Sequence, residues 1–357
     1  MLWAKPTHSR TQVNRAGRTL CKPTPDFEQY RLAADILNNW RSAHAYPINT
    51  FQATLRAKVK KIDADALVAQ RLKRTPSIVS KLQRLEGMEL ARMQDIGGLR
   101  AVVGTVAMVR ELEESYKNSW FKHTLVTERD YIKDPKPSGY RSVHMIYRYR
   151  NEIAPEYDGL LLELQLRTRL QHAWATAVET MGIFLKYALK SSEGPKKWLD
   201  FFSLAGSAFA YLEECPTVPA YAHLSKHQTF DKVTNDARTL GVRNRLQAFA
   251  IATDAITEDK HPGSYHLIVL DLTKKRVAIK TYGRRRLDQA NHDYTQEELR
   301  IRDGEPIQVV LVSAGPIEAL RRAYPNFFLD TREFIKHINR IERASQKNAT
   351  NSMQTTE

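Results

Sequence analysis

The sequence predicts a mixed α/β fold, with a mixed β-sheet flanked by helices, followed by a small α+β C-terminal module. From Thr75 onward the apolar pattern runs helix, strand, helix, strand, strand, strand, helix. Within that run Leu160, Leu162, Leu164 and Leu166 share one face of a strand, with Glu163, Gln165 and Arg167 on the other. After the turn-like break Ser191-Ser-Glu-Gly-Pro195 a second pattern begins, of helices, a hairpin and a further strand.

Residues 1–24 read as a basic segment with no uninterrupted apolar run. A helix over 25–45 has Pro25 at its first position, Asp26 and Glu28 in its first turn, and Phe27, Tyr30, Leu37 and Trp40 at helical spacing. A second helix, Pro47 to Ile62, carries the stripe Ile48, Phe51, Leu55, Val59 and Ile62. Its Arg56, Lys58, Lys60 and Lys61 face outward, ordinarily a solvated face that can also meet a nucleic-acid backbone. Thr75 caps a helix that begins at Pro76 and runs to Leu90, with Ser77 in the anion-friendly first turn. Asp95 and two glycines precede the strand Leu99 to Val103, and a helix follows from Val106 to Asn118. Strands are expected near Leu125, over Arg141 to Arg150 and over Leu160 to Arg167. A helix from Arg169 to about Leu189 buries Leu170, Trp174, Val178, Met181 and Leu185, with His172, Thr176 and Glu179 on a polar face toward the site.

Beyond the break come a helix over Trp198 to Leu212 and a helical stretch after Ala222. A hairpin over 265–272 and 276–282, a helix over 288–300, a strand over 307–313 and helices around Pro316 and Arg332 complete the module. The polar tail 345–357 reads as disordered. The expected units are therefore 1–24, 25–190, 191–344 and 345–357.

With 357 residues, 42% of them hydrophobic, the chain can fill two ordinary cores. Cys21 and Cys215 stand far apart without partners at ligand spacing, so neither a disulfide framework nor a zinc cluster is indicated. No stretch reaches the roughly 18 apolar residues of a spanning helix, and a cytoplasmic, reducing setting without a membrane partner fits. A net charge of +15 favours phosphate-bearing partners: nucleotide, RNA or DNA.

Four segments carry the chemistry: Arg71-Leu-Lys-Arg-Thr-Pro-Ser-Ile-Val-Ser-Lys81, Asp95-Ile-Gly-Gly-Leu-Arg-Ala-Val-Val103, Asp130-Tyr-Ile-Lys-Asp-Pro-Lys-Pro-Ser-Gly-Tyr-Arg-Ser-Val-His144 and Leu160-Leu-Leu-Glu-Leu-Gln-Leu-Arg-Thr168. Together they supply two separated carboxylates, cations near a helix start, and a tyrosine after a glycine turn that can stack on a base. Those groups suit a nucleoside polyphosphate with a metal ion. In this order the segments resemble the synthetase domain of the RelA/SpoT family over about residues 50–185. Trp174-Ala-Thr-Ala-Val-Glu179 is similar to a stretch of the small alarmone synthetases, with Thr180 where that family has histidine.

The resemblance implies a nucleotidyltransferase-like domain that moves pyrophosphate from ATP to a ribose 3′-hydroxyl with Mg²⁺. It casts Asp95 and Glu163 as the catalytic acids that hold the metal, Glu163 helping to hold it or accepting the proton. Arg71 is cast as an adenine-stacking residue, Lys73, Ser77 and Lys81 as phosphate ligands, and Arg110 as a second adenine-stacking arginine. Lys136, Tyr140, His144, Gln165 and Arg167 fall on the acceptor side. Most members use GDP or GTP and make alarmones; toxic small members modify the 3′ end of tRNA and stop translation. The positive charge, the basic helix and the C-terminal half tilt the expectation to tRNA. Residues 191–343 resemble the antitoxin-like half of CapRel-type toxin-antitoxin proteins, which restrain their own synthetase until a phage protein binds. Tyr324 and Phe327 fall on that group's restraining aromatic element, with Phe in place of its last tyrosine. A conventional alarmone synthetase and a catalytically inactive nucleotide or RNA sensor are the alternatives.

Overall fold

A computed structural model describes residues 3–24, 26–118, 121–185, 189, 192–243, 246, 265–271, 276–283, 285–300, 307–313 and 331–354. The first element is one the sequence reading lacked. Helix α1 (Arg10–Leu20) is closed at its start by a capping box between Ser9 and Gln12, and buries Val13, Ala16 and Leu20. Its apolar stripe is too narrow, among arginines, to stand out by composition. Helix α2 (Phe27–Ala43) is capped by Asp26 and buries Ala33, Leu37 and Trp40, whereas Phe27 and Tyr30, expected on that stripe, are exposed. Helix α3 (Ala45–Ile62) buries Ile48, Phe51, Leu55 and Val59 as the spacing predicts.

The sheet contains β1 (Leu67–Leu72), β2 (Gly97–Val103), β3 (Thr124–Asp130), β4 (Val143–Arg148), β5 (Leu161–Thr168), β6 (Tyr265–Asp271), β7 (Arg276–Tyr282) and β8 (Ile307–Ser313). Their order is β3-β4-β5-β2-β1-β8-β6-β7, with β2 and β5 parallel and the other described pairs antiparallel. Five strands form the mixed sheet that the fold class predicts, and β8, β6 and β7 continue it. The C-terminal strands are therefore hydrogen-bonded to the catalytic half through β1.

One sheet face is the core side. Leu99, Ala101, Leu162, Leu164 and Leu166 pack there in one cluster with α3 and with α5 (Val106–Lys117). Helix α4 (Thr75–Arg84) lies between β1 and β2 in the chain. A second core joins α6 (Arg169–Leu185), α7 (Lys196–Leu212), α8 (Lys226–Thr239) and α10 (Arg332–Gln354). It takes residues from both sides of position 190. This packing buries His172 and Thr176, two residues of the polar face expected on α6, and leaves the third, Glu179, half-buried. Helix α9 (Leu287–Arg300) covers the C-terminal strands with Leu287, Ala290 and Tyr294. Helix α10 runs to Gln354, through most of the segment read as a disordered tail. Its buried Phe334, Ile335, Ile338 and Ile341 give the helix a docking face that polar composition further along conceals.

Candidate active site

Strand pairing lines the site up in rows on the sheet face opposite α3 and α5. One row runs Arg71, Gly98, Glu163, Ile146 across β1, β2, β5 and β4; the next runs Ala69, Arg100, Gln165, His144. A Cβ at Gly98 would meet nothing closer than the Arg71 carbonyl oxygen at 3.8 Å. The floor between Arg71 and Glu163 is thus open.

On the β1 side the pairing continues past the strand, with the Lys73 amide donating to Ile96 O at 2.7 Å, which sets Lys73 beside Asp95. Lys73 Nζ meets Asp95 Oδ2 at 2.9 Å and Lys81 Nζ meets Oδ1 at 2.8 Å. Ser77 lies one turn before Lys81, on the same side of α4. The helix starts at Thr75 with Arg74 in the cap position and no side-chain cap, so Thr75 is its first residue rather than its cap. That leaves first-turn amides for an anion. Burial works to raise the Asp95 pKa, but Lys73 and then Lys81 outweigh it against the opposing charge of Glu163 and hold it low. Burial lowers the Lys73 pKa despite Asp95.

On the other side runs a hydrogen-bonded chain. Tyr140 Oη lies 2.7 Å from His144 Nε2, and His144 Nδ1 lies 2.8 Å from Glu163 Oε1. Gln165 Nε2 donates to Glu163 Oε2 at 2.7 Å, and Arg167 Nη2 donates to Gln165 Oε1 at 2.6 Å. Burial would raise the Glu163 pKa, but His144 and Gln165 hold it well below the usual carboxylate range. Burial would lower that of His144, and Tyr140 and Glu163 reverse it. Lys136 Nζ sits 4.4 Å from the Tyr131 ring centre and 5.3 Å from that of Tyr140. The Tyr140 ring itself is only 8% exposed, edge-on to Tyr131, His144 and Trp174. Its position departs from the expectation of a tyrosine open to a base.

Arg110 is not brought to this face. It sits on α5, behind the sheet, bonded to Glu113 at 2.7 Å and Asp130 at 2.8 Å. Arg100, which the sequence reading passed over, takes the site face instead, two residues on from Gly98. The alternation of Leu99, Ala101 and Val103 as core residues contained that signal. Thr180 is buried with no hydrogen-bond partner for its hydroxyl. Tyr324 and Phe327 lie outside the described residues.

Asp95 and Glu163 suit Mg²⁺, which takes one or two protein carboxylates and completes its shell with substrate phosphates and water. Their charges already act on each other. Among the described residues no cluster of three or more His, Cys, Asp or Glu forms a self-sufficient metal cage, and no helix is long and apolar enough to cross a membrane.

Lysines, a carboxylate pair and an open glycine floor define a site for phosphoryl-group chemistry. Residues 70–187 match the family model described as "Region found in RelA / SpoT proteins". The chain carries a RelA/SpoT synthetase domain, an enzyme domain of the pyrophosphokinase type. It is 34% identical over 145 residues to the GTP pyrophosphokinase YjbM of Bacillus subtilis, covering 39% of this chain and 66% of that protein. It is 27% identical over 149 residues to the GTP pyrophosphokinase of Escherichia coli strain K12, covering 40% of this chain and 18% of that one. Among solved structures, the small alarmone synthetase 1 of Bacillus subtilis bound to its product pppGpp aligns with a TM-score of 0.41 and 29% identity, over 50% of this chain and 94% of that one.

Proposed function

We propose that the protein transfers the β,γ-pyrophosphate of ATP to the ribose 3′-hydroxyl of GDP or GTP. The observation that carries this reading is the row Arg71, Gly98, Glu163, with lysine-bound Asp95 on one side and the Tyr140–His144 chain on the other. Arg71 and Arg100 offer guanidinium planes to adenine; Lys73, Lys81, Ser77 and the α4 amides hold the phosphates. Asp95 and Glu163 hold Mg²⁺, which neutralises charge on the phosphate oxygens when bound. The acceptor oxygen forms its bond to the β-phosphorus as the bond to the bridging α-phosphate oxygen breaks, and AMP leaves with that oxygen. The hydroxyl becomes acidic as it bonds to phosphorus, so Glu163, weakly basic here, can take the proton late. Tyr140 must turn outward from its buried position to stack on guanine.

The tRNA acceptor expected from charge has less support. The basic face with Arg56, Lys60 and Lys61 is on α3, behind the sheet, away from Glu163. Lys58 is turned inward, donating to Ser115 O at 2.6 Å. The relatives named above are GTP pyrophosphokinases.

We also propose that residues 191–344 restrain the donor side. β8 pairs with Gln70 and Arg71, and the Tyr294 ring of α9 stacks under the Arg41 guanidinium at 4.2 Å. Arg41 Nε in turn donates to Lys73 O at 2.6 Å. A trigger, a phage protein in the class that the resemblance implies, would act by loosening this grip.

The test offers γ-labelled ATP with GDP, GTP and tRNA in parallel to the full chain and to Tyr294→Ala. Label on the guanosine nucleotides with matching AMP is expected, stronger in the variant. Label on tRNA alone would move the acceptor, and no AMP with any acceptor would reject the transferase reading.

A further inference from the structure

The loop that carries Lys136 and Tyr140 is braced from outside as well as by its own hydrogen bonds. Within itself it makes a tight turn, with Gly139 N donating to Lys136 O at 2.8 Å and Gly139 at φ +89°. Its outer side is held by residues 203–216. Ser203 Oγ donates to Pro137 O at 2.5 Å. Arg141, 3% exposed, donates through one nitrogen to Gly206 O and through another to Pro216 O at 2.8 Å. A buried guanidinium is costly unless its donors are satisfied; here one downstream segment supplies carbonyls to two of its nitrogens, and Nε is left without a partner. Between these two anchors the backbones touch. A Cβ on Gly206 would come within 2.7 Å of both Gly139 Cα and Gly139 O, and a Cβ on Gly139 within 2.9 Å of Phe202 O. A glycine in mid-helix weakens the helix by about 1 kcal/mol, so Gly206 has a packing reason to be there. The same turn of α7 accepts the Trp174 indole N–H at Phe202 O, 2.9 Å away, and Trp174 lies edge-on to Tyr140.

We infer that α7 is the platform that positions the acceptor loop, with Gly206 and Ser203 as positioning residues that set the use of the acceptor and not of ATP. They touch neither the carboxylates nor the lysines of the donor side. They also lie beyond the matched region 70–187, so the element that fixes acceptor fit belongs to the part of the chain outside that match. The inference rests on the transferase reading for its kinetic arm, and has a second arm that does not.

Gly206→Ala and Ser203→Ala would be made in the full chain. For Gly206→Ala the acceptor KM should rise about tenfold while the ATP KM stays within about twofold. Ser203→Ala, which removes the bond to Pro137 O along with one to the Tyr221 hydroxyl and clashes with nothing, should shift the acceptor KM the same way by about threefold. Hydrogen exchange of the amides in 136–142 should quicken in Gly206→Ala, whether or not the protein turns over. Equal rises in both KM values with a lowered Tm would make α7 plain structural support and overturn the inference, as would unchanged KM values and unchanged exchange. If the wild type labels no guanosine nucleotide, the functional reading fails by itself. The exchange arm then decides, faster exchange upholding the platform and unchanged exchange overturning it.

Discussion

The donor strand and the acceptor loop are both braced by chain beyond residue 190, in different ways. β1 is held by backbone pairing at Gln70 and Arg71 and by one Arg41–Tyr294 stack. The acceptor loop is held by a glycine-to-glycine backbone contact and a buried arginine. A two-residue ladder is indifferent to side chains and is readily released; a contact that excludes even a Cβ is specific and rigid. In the proposed reading, reversible control would fall to the donor side and substrate fit to the acceptor side.

Glu163 lies between the two and should be the costliest residue to alter. Glu163→Gln is expected to lower transfer by about 10²–10⁴-fold, read from AMP release, in a protein that still folds, with some loss of Tm as His144 and Gln165 lose a charged acceptor. Near-normal turnover would mean that neither side depends on it. The donor side is sharpened by two arginines. Arg100→Ala should raise the ATP KM about tenfold, the loss of roughly 1–2 kcal/mol of stacking, and leave the acceptor KM alone. Arg110→Ala should change ATP KM by less than about twofold, because its partners are Glu113 and Asp130 behind the sheet. The reverse ranking would break the assignment of faces.

The alternation of Leu160 to Leu166 made β5 and its polar face legible, because a strand with one buried side writes its period into the sequence. β1 was not legible: its burial shows no alternation, since neighbouring strands and helices cover Ala69 and Gln70 alike. Asp95, Lys73 and Lys81 were readable as chemistry, and the structure brings them together. The Tyr140–His144–Glu163 chain was not, because it joins a loop and two strands whose register no local pattern reveals. Gly206 read as an ordinary helix residue, and its reason appears only when Gly139 is placed against it. Ser9 and Gln12 carried a capping box in plain view that marks the start of α1.

The smallest effect tests the corner on which the donor brace stands. His44 follows Arg41 by one helical turn, is 1% exposed, and donates through Nδ1 to Trp40 O at 2.8 Å. Burial pushes its pKa down to about 4, against the opposing pull of that carbonyl. An unfolded histidine titrates near 6.5, so below that pH the unfolded chain binds a proton that the folded one refuses. Stability from this group is therefore complete above about pH 6.5 and falls as the pH drops toward 4. Between pH 7 and 6 the loss should be about 0.7 kcal/mol, or about 1 °C in Tm. His44→Asn, which keeps an N–H donor without a titrating ring, should lose less over the same interval, measured by thermal melts at both pH values. If the two chains lose stability in parallel, His44 accommodates its proton where it stands, and the donor-side corner is no more rigid than the ladder it supports.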